Sequence, residues 1–441
     1  MALTSFESDD LKLPKEQSSA TKSQIIISIA ILFLMNAMST LDKSVFAILV
    51  PEMQADMGLD DFQISVLQGV AFSGSYVLFG LLMGGFIDRG PRKIIVFCGV
   101  TVWSLAATLC GAVSNFSQLF LTRMSLGAGE SIISPTSQSL LSDMVPRERL
   151  TSAISVTVVA GSAVGAGVAF FAGGLLLQLF ETVDFAGLAA WRMVYLVTGV
   201  PGLLLGMLAF FVFESKSVRA KTKGVASLKA FSEFLRGNKR LYGCLICAFA
   251  FGAVIPTVLQ AWGPTYGRRV LKLSAIDVGN AYGLVFAFGT LIGVVSVGLI
   301  VDRLISRGVL DGALRVYGVA LVVSVPFCIV AFEGHSTAMY YTALVVTNML
   351  LGASFGPAFA AIQMISEPQF RGRMAVSMLL ISTLIGGGCG PMAVGLLTDR
   401  LFADRMMLGE AIAIVCGVAG LLSLALLCVA AKPFRQRLEN L

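Results

Sequence analysis

Charged side chains are scarce in this sequence. Asp, Glu, Lys and Arg make up 13% of its 441 residues, whereas apolar residues make up 56%. A soluble domain carries about 25% charged residues. The composition therefore excludes an ordinary soluble protein and favours one that crosses a membrane many times. The net charge of +6 arises from loops and tails between apolar stretches, so it predicts no nucleic-acid partner.

Histidine and cysteine chemistry is equally limited. The single histidine, His335, falls in a predicted outer turn, which excludes a buried histidine relay and leaves carboxylates as proton carriers. All eight cysteines fall inside apolar stretches, where we expect them to pack as small side chains. Cys244 and Cys247 have a metal-like spacing, but neither a second pair nor a histidine accompanies them. We therefore expect neither a metal nor a cofactor.

Long apolar runs organise the chain. A helix needs about 20 apolar residues to cross a bilayer. Twelve stretches qualify, at approximately 24–50, 62–87, 93–112, 117–142, 151–179, 191–213, 241–263, 276–301, 313–333, 337–366, 374–398 and 407–431. The predicted fold is an all-α membrane protein with twelve transmembrane helices in two six-helix bundles. The bundles cover 24–213 and 241–431, with a linker at 214–240 and tails at 1–23 and 432–441.

The distribution of Lys and Arg predicts the orientation. These residues concentrate in the N-terminal tail, the linker and every second loop. The intervening loops hold Arg268, Arg269, Lys272, Arg400 and Arg405. Because loops rich in Lys and Arg stay in the cytoplasm, both termini, both tails and the linker are predicted to be cytoplasmic. We expect the protein to lie in the cytoplasmic (inner) membrane.

A motif after the second stretch returns after the eighth. The motif and its repeat comprise Gly84, Asp88, Arg89, Arg92, Asp302 and Arg303. Parallel repeats of six helices are typical of transporters, whose substrate site lies at the midplane between the repeats. Two interpretations of the motif remain open. The first copy resembles the loop 2–3 signature of the major facilitator superfamily, and this resemblance implies a conformational latch that stabilises one facing state. The alternative is a basic loop that only sets topology.

Four charged residues fall inside apolar stretches, where a charge at the bilayer centre costs at least ~2.5–3.5 kcal/mol. Asp42 and Lys43 are neighbours, so on a helix they point about 100° apart and need different partners. Arg123 and Glu130 lie two turns apart on one helix face, about 10 Å along the axis. Their face also carries Gly127, Ser134 and Gln138, which predicts a helix that borders a cavity.

These four residues allow two interpretations. One is a buried ion-pair network with a structural role. The other, which we favour, is a pair of protonatable acids beside a substrate site, because a transporter needs both. An arginine does not lose its proton in a protein. Asp42 and Glu130 are therefore the predicted proton-coupling residues, and Arg123 is the fixed charge.

The chain resembles the spinster-like branch of the major facilitator superfamily over residues 25–431. The resemblance rests on Thr40–Ser44 with Pro51–Gln54, on Asp88–Lys93 and on Arg123–Ser131. It implies a proton-coupled secondary transporter that works by alternating access and moves an amphiphilic, lysolipid-like or sphingolipid-like substrate or an organic anion. It further implies that Arg123 holds Glu130 or a substrate anion. Lys43 stands where that branch usually has arginine.

The predicted cavity is lined by helices 1, 4, 7 and 10. Its predicted substrate-binding residues and charge partners are Asn36, Thr40, Lys43, Arg123, Gly127, Ser134, Thr257, Gln260 and Asn348, beside the acids Asp42 and Glu130. The expected partners are a small-molecule or lipid substrate, protons and membrane lipid, and we expect a monomer.

Two other functions remain open. The spacing of Pro135 after Glu130 is similar to that in the sister branch of organic-anion and sugar-acid symporters, which makes a proton symporter of a small organic anion the alternative. A receptor or scaffold that does not transport is a third hypothesis, against which the two retained acids argue. We predict no enzyme, because neither a nucleophile with a base nor a metal cluster is apparent.

Overall fold

The computed structural model describes residues 21–182, 187–214, 228–334, 336–367 and 369–439, and every regular element in these ranges is helical. Eleven helices in the described ranges are long and apolar enough to cross a membrane. A twelfth crossing is divided into two shorter helices. The all-α membrane fold predicted from the sequence is therefore confirmed.

The first half of the chain forms six crossings. Helix α1 is Lys22–Met57, α2 is Asp61–Met83 and continues to Arg89, and α3 is Arg92–Cys110. Helix α4 consists of Phe116–Glu130 and Ile133–Met144, α5 is Ser155–Glu181, and α6 is Ala190–Phe211. Helix α1 is longer than the predicted 24–50, because Thr21 caps its first turn and Gly58, with φ +66°, ends it.

The second half repeats this arrangement after a short linker helix, Leu228–Gly237. Helix α7 is Lys239–Arg269, α8 is Ala275–Ser306, and α9 is Gly312–Glu333. Helix α10 is Thr337–Ile365, α11 is Arg371–Phe402, and α12 is Arg405–Glu439. Helix α12 extends beyond residue 431, where the sequence predicted a tail.

Helix α4 is interrupted at Ser131 and Ile132, next to its acidic residue Glu130. Pro135 explains the interruption. Its ring has no N–H to donate to the carbonyl of Ser131, four residues earlier, and it crowds that carbonyl. Side chains before and after the break therefore do not follow one continuous helical register.

The most extensive contacts between the halves are those of α5 along α8 and of α2 along α11, and α1 also packs against α7. Hydrogen bonds and ion pairs between the halves gather at the end where α1 meets α2. There Arg269 of α7 donates from both Nη atoms to the two carboxylate oxygens of Asp61, each at 2.8 Å. Arg268 pairs with Glu52, and Arg405 Nη2 donates to the carbonyl of Leu59 at 3.1 Å. We call these residues the clasp.

The clasp holds the halves together at one end of the molecule. The Asp61 side chain is fully buried there and also accepts a hydrogen bond from Gln54 at 2.7 Å. A bidentate Arg–carboxylate pair is among the stronger charge-assisted contacts. The cavity described below lies between the two halves, deeper in the molecule than this closed end.

Candidate functional site

Two ion pairs connect α1 and α4 in the middle of the first half. Arg123 Nη1 donates to Asp42 Oδ2 at 2.9 Å. Lys43 Nζ lies 3.0 Å from Glu130 Oε2. Neighbouring residues on α1 thus reach positions two turns apart on α4, as their 100° separation predicts. We call Asp42, Lys43, Arg123 and Glu130 the charge quartet.

The partner of Arg123 differs from the one expected from the sequence. Arg123 was expected to hold Glu130 or a substrate anion, and in the structure it pairs with Asp42. The reason is the distance along the helix: seven residues separate Arg123 and Glu130 by about 10 Å. The carboxylate of the adjacent helix α1 lies within hydrogen-bond distance instead. Glu130 in turn provides the partner for Lys43 that the sequence left unassigned.

The two pairs differ in their contact with solvent. Asp42, Arg123 and Glu130 are 4%, 2% and 3% exposed. The Lys43 side chain is 34% exposed. The Asp42–Arg123 pair is therefore a dry ion pair, in which loss of either partner leaves an isolated charge. Lys43, in contrast, has access to the cavity.

Both pairs leave hydrogen-bonding capacity unused. Among the described residues, Arg123 Nε and Glu130 Oε1 are buried without a hydrogen-bond partner. Buried polar atoms in folded proteins nearly always have partners. The site thus offers one donor and one acceptor beyond its own ion pairs.

Aromatic rings surround the two cations. Lys43 Nζ lies 4.6 Å from the ring centroid of Phe72 and 5.4 Å from that of Tyr76. Arg123 Cζ lies 4.1 Å from the centroid of Phe46 and 5.5 Å from that of Phe72. Each ring face attracts a cation, so these contacts stabilise the charges where water is scarce.

A cavity of about 430 Å³ lies between the two halves. The first half contributes Lys43, Gln68, Phe72, Ser73 and Arg123. The second half contributes Gly252, Ala253, Pro256, Thr257, Gln260, Ala261, Tyr317, Leu351, Gly352, Leu379, Ser382, Thr383, Gly387 and Pro391. The two charged residues in this lining are both cations of the first half. The facing wall is neutral and largely apolar.

Two further predicted residues belong to this lining, both on α7. Thr257 Oγ1 donates to the carbonyl of Gly386 on α11 at 2.7 Å. Gln260 Nε2 donates to Ser44 Oγ on α1 at 3.4 Å, across the interface between the halves. Lys43, Arg123, Thr257 and Gln260 are therefore the predicted residues that the structure brings together around the cavity. Asp42 and Glu130 lie behind the two cations.

Other predicted lining residues make packing contacts instead. Asn36 donates to Ser137 at 3.1 Å and accepts from Ser134 at 3.1 Å, which fastens α1 to α4. Thr40 Oγ1 donates to the carbonyl of Ser162 on α5 at 2.9 Å. These hydroxyl and amide groups are satisfied within the first half, and their residues are absent from the cavity lining.

Asn348 on α10 is likewise satisfied by a neighbouring helix. Its Oδ1 accepts a hydrogen bond from Thr290 on α8 at 2.7 Å, and the residue is 6% exposed. The contribution of α10 to the lining comes from Leu351 and Gly352.

Gly127 serves close packing. A Cβ at this position would lie 2.2 Å from Ser75 Oγ and 2.3 Å from the carbonyl oxygen of Phe72, so only glycine lets α4 approach α2 this closely. The predicted polar stripe through Gly127, Ser134 and Gln138 therefore does not face the cavity. The interruption after Glu130 explains part of this difference, because it changes the register of the later positions.

The latch motif is only partly described. Arg92 pairs with Asp143, and its backbone N–H donates to Glu214 Oε1 at 3.0 Å. In the repeat, Asp302 and Arg303 are exposed. The surroundings of Gly84 and the side chains of Asp88 and Arg89 are not among the described parts of the chain, and neither is His335.

Helices α2, α9 and α11 contribute lining that the sequence analysis missed. Helix α2 contributes Gln68, Phe72 and Ser73, and α9 contributes Tyr317. Helix α11 contributes residues between Leu379 and Pro391. The prediction from helices 1, 4, 7 and 10 was therefore incomplete. Gln68 and Ser73 were a usable signal, because they are polar residues inside an apolar stretch.

A twelve-crossing fold with a closed end, a cavity between its halves and paired buried charges defines a membrane transporter. The chain belongs to the Major Facilitator Superfamily, whose family model matches residues 32–391. Its members are transporters and not enzymes.

Curated relatives extend over most of the chain. It is 25% identical to an MFS-type efflux pump of Mycolicibacterium smegmatis over 93% of both chains. It is 24% identical to protein spinster homolog 1 of Xenopus laevis, covering 90% of this chain and 78% of that one. It is also 25% identical to the hexuronate transporter of Bacillus subtilis, covering 89% and 92%.

Among solved structures, the chain is similar to a bacterial homologue of the human lysosomal transporter spinster in an inward-facing, unoccupied conformation. The TM-score is 0.77 at 23% identity, over 95% of this chain and 98% of the other. This likeness concerns the fold.

Proposed function

We propose that the protein is a proton-coupled secondary transporter of an amphiphilic or lipid-like anion. One observation carries the proposal: each cation in the cavity lining is paired with a buried carboxylate behind it. Protonation of the carboxylate removes its charge and frees the cation for a substrate anion. Proton binding and substrate binding thereby become linked through the same two ion pairs.

The order of events follows from the two pairs. Protonation of Glu130 weakens its hold on Lys43, which has access to the cavity. Protonation of Asp42 releases Arg123, which keeps its charge and has an unused Nε donor. A bound anion then replaces the carboxylates as the partner of Lys43 and Arg123. The cavity therefore closes around cations whose charge is compensated. Closure of a low-dielectric site around an unpaired charge would otherwise be expensive.

The clasp supports the proposal of a facing state for this conformation. If both termini are cytoplasmic, the clasp closes the outer end, and the cavity belongs to the inward-facing state. Basic residues in alternate loops support this orientation. We place the protein in the cytoplasmic membrane with its linker inside. The cycle then opens the clasp as the inner ends of the two halves approach.

The uneven cavity wall supports an amphiphilic substrate. Lys43 and Arg123 provide a cationic patch on the first half, opposite an apolar wall that includes Ala253, Pro256 and Leu351. An anionic headgroup fits the patch, and an apolar body fits the wall.

A small organic anion such as a sugar acid is the second candidate. Its support is the similarity to a hexuronate transporter and to a probable L-galactonate transporter of Escherichia coli. Gln260, Thr257 and Gln68 would then bind substrate hydroxyls. The two candidates make different demands on the apolar wall, because only an amphiphile needs it.

Proteoliposomes that contain the purified protein test the proposal. Transport of lysophosphatidylglycerol and of glucuronate is measured with and without an imposed pH gradient. We expect the gradient to accelerate transport of the amphiphile in the wild type. Glu130→Gln should lower or abolish this acceleration, because glutamine cannot exchange a proton at neutral pH and Asp42 alone remains.

Glu333→Gln is the matched control, since Glu333 is an exposed acid that lies outside the cavity lining and outside the latch motif. It should transport as the wild type does. Transport of glucuronate without transport of lysophosphatidylglycerol would support the second candidate, a transporter of small organic anions. Acceleration by the gradient that is as large in Glu130→Gln as in the wild type would contradict the coupling role of this residue.

A further inference from the structure

Phe72 on α2 touches both cations of the cavity. Its ring centroid is 4.6 Å from Lys43 Nζ and 5.5 Å from Arg123 Cζ. Lys43 and Arg123 belong to different helices and to different ion pairs. Phe72 also lines the cavity and is 6% exposed. One ring therefore lies where the two ion pairs and the substrate space meet.

The other rings near the quartet contact one cation each. Phe46 lies beside Arg123, and Tyr76 lies beside Lys43. Neither is part of the cavity lining. The shared contact distinguishes Phe72 from both.

A ring and a carboxylate hold a cation in different ways. The carboxylate loses its attraction when it is protonated, whereas the ring face keeps its attraction at every pH. When a proton neutralises Asp42 or Glu130, Phe72 remains as a partner for the released cation. The ring therefore makes the protonated, anion-ready form of the site more accessible.

The backbone that carries Phe72 is also part of the interface between the halves. Phe72 lies in a π-helical segment, Leu67–Gly74, which faces the π-helical segment Thr383–Cys389 of α11. A Cβ on Gly69 would lie 2.5 Å from the carbonyl oxygen of Gly388. Local π-helical turns frequently occur at functional sites. Phe72 and the tight contact between α2 and α11 therefore belong to the same π-helical segment.

We propose that Phe72 is the positioning residue that holds Lys43 and Arg123 ready for an anion and ties their release to the α2–α11 contact. This inference rests on the proposed proton-coupled function. Besides the four members of the quartet, which face one another, the titratable groups next to it are Tyr76 on α2, Cys110 on α3 and Tyr195 on α6.

Fluorinated phenylalanine provides the test, because fluorine weakens the ring's attraction for cations with little change in shape. The variant carries 3,4,5-trifluorophenylalanine at position 72. The control carries it at Phe79, which lies on the same helix and is 37% exposed. Transport of lysophosphatidylglycerol is measured in proteoliposomes as a function of concentration and pH, with glucuronate substituted if the wild type prefers it.

Fluorination at position 72 should raise KM about five- to tenfold, as loss of a partly desolvated cation–π contact implies. The pH of half-maximal transport should fall, because each cation then depends more on its carboxylate and opposes protonation. The control should match the wild type. Phe72→Tyr should also match it, and Phe72→Leu should resemble the fluorinated variant if it folds.

The outcomes separate this inference from the proposed function. If the rate of wild-type transport does not depend on the pH gradient, the proposed function is wrong. If wild-type transport is coupled but fluorination at position 72 changes neither KM nor the pH profile, the role of Phe72 is wrong and the proposed function stands. A change in Vmax alone would also contradict the positioning role.

Discussion

The unequal exposure of the two ion pairs predicts an unequal cost of removing their acids. Asp42→Asn leaves the Arg123 guanidinium, 2% exposed, without a counter-charge. Breaking a buried pair in this way costs about 3–5 kcal/mol of stability. Glu130→Gln leaves Lys43, whose side chain is 34% exposed and reaches the cavity. For a cation with that access to water, the lost pair is worth about 1 kcal/mol or less.

The assay is the free energy of unfolding in mixed detergent micelles at neutral pH, for wild type and both single variants. A double variant, Asp42→Asn with Arg123→Gln, provides the internal control. It removes the stranded charge and should recover much of the stability lost in Asp42→Asn, because replacing a whole buried pair is often nearly neutral. Equal losses in the two single variants, or no recovery in the double variant, would refute the reasoning.

Three further predictions concern packing, gating and recognition. Gly127→Ala should lower the melting temperature strongly and Gly74→Ala only slightly, because a Cβ on Gly74 meets nothing within 4 Å; equal shifts in both would contradict the packing role. Asp61→Asn should lengthen spin-label distances across the clasp, since Arg269 loses its bidentate partner; an unchanged distance distribution would exclude that role. Lys43→Arg should strengthen the thermal stabilisation by glucuronate or lysophosphatidylglycerol, because guanidinium binds carboxylate and phosphate in a bidentate way; weaker stabilisation would show that a flexible ammonium is required.

Much of the fold was predictable because the bilayer imposes one strong requirement. Every crossing must satisfy its own backbone, so long apolar stretches become helices with few alternatives. The fourth crossing, helix α4, shows the limit of this argument. The stretch 117–142 has the length of one helix, yet Pro135 divides it after Glu130. Helix ends were also less predictable, because α1 and α12 continue through polar residues beyond their apolar cores.

The candidate site was predictable in its charges and not in its geometry. A buried charge is conspicuous in an apolar stretch, so all four members of the quartet could be identified from the sequence. Their pairing depends on how α1 and α4 pack, and no local pattern contains that information. The same limitation hid the contribution of α2. Phe72 is one of 30 phenylalanines, and only the tertiary structure places it between Lys43 and Arg123.

The central claim is that substrate movement and proton movement share the quartet. Its most direct test is simultaneous measurement of lysophosphatidylglycerol flux and proton flux in proteoliposomes without an imposed gradient, at a series of substrate concentrations. The account predicts proton flux in a fixed ratio to substrate flux in the wild type. It predicts that Glu130→Gln lowers or abolishes this ratio while substrate still binds. A wild type that moves substrate without protons, or a Glu130→Gln variant with an unchanged ratio, would contradict the account.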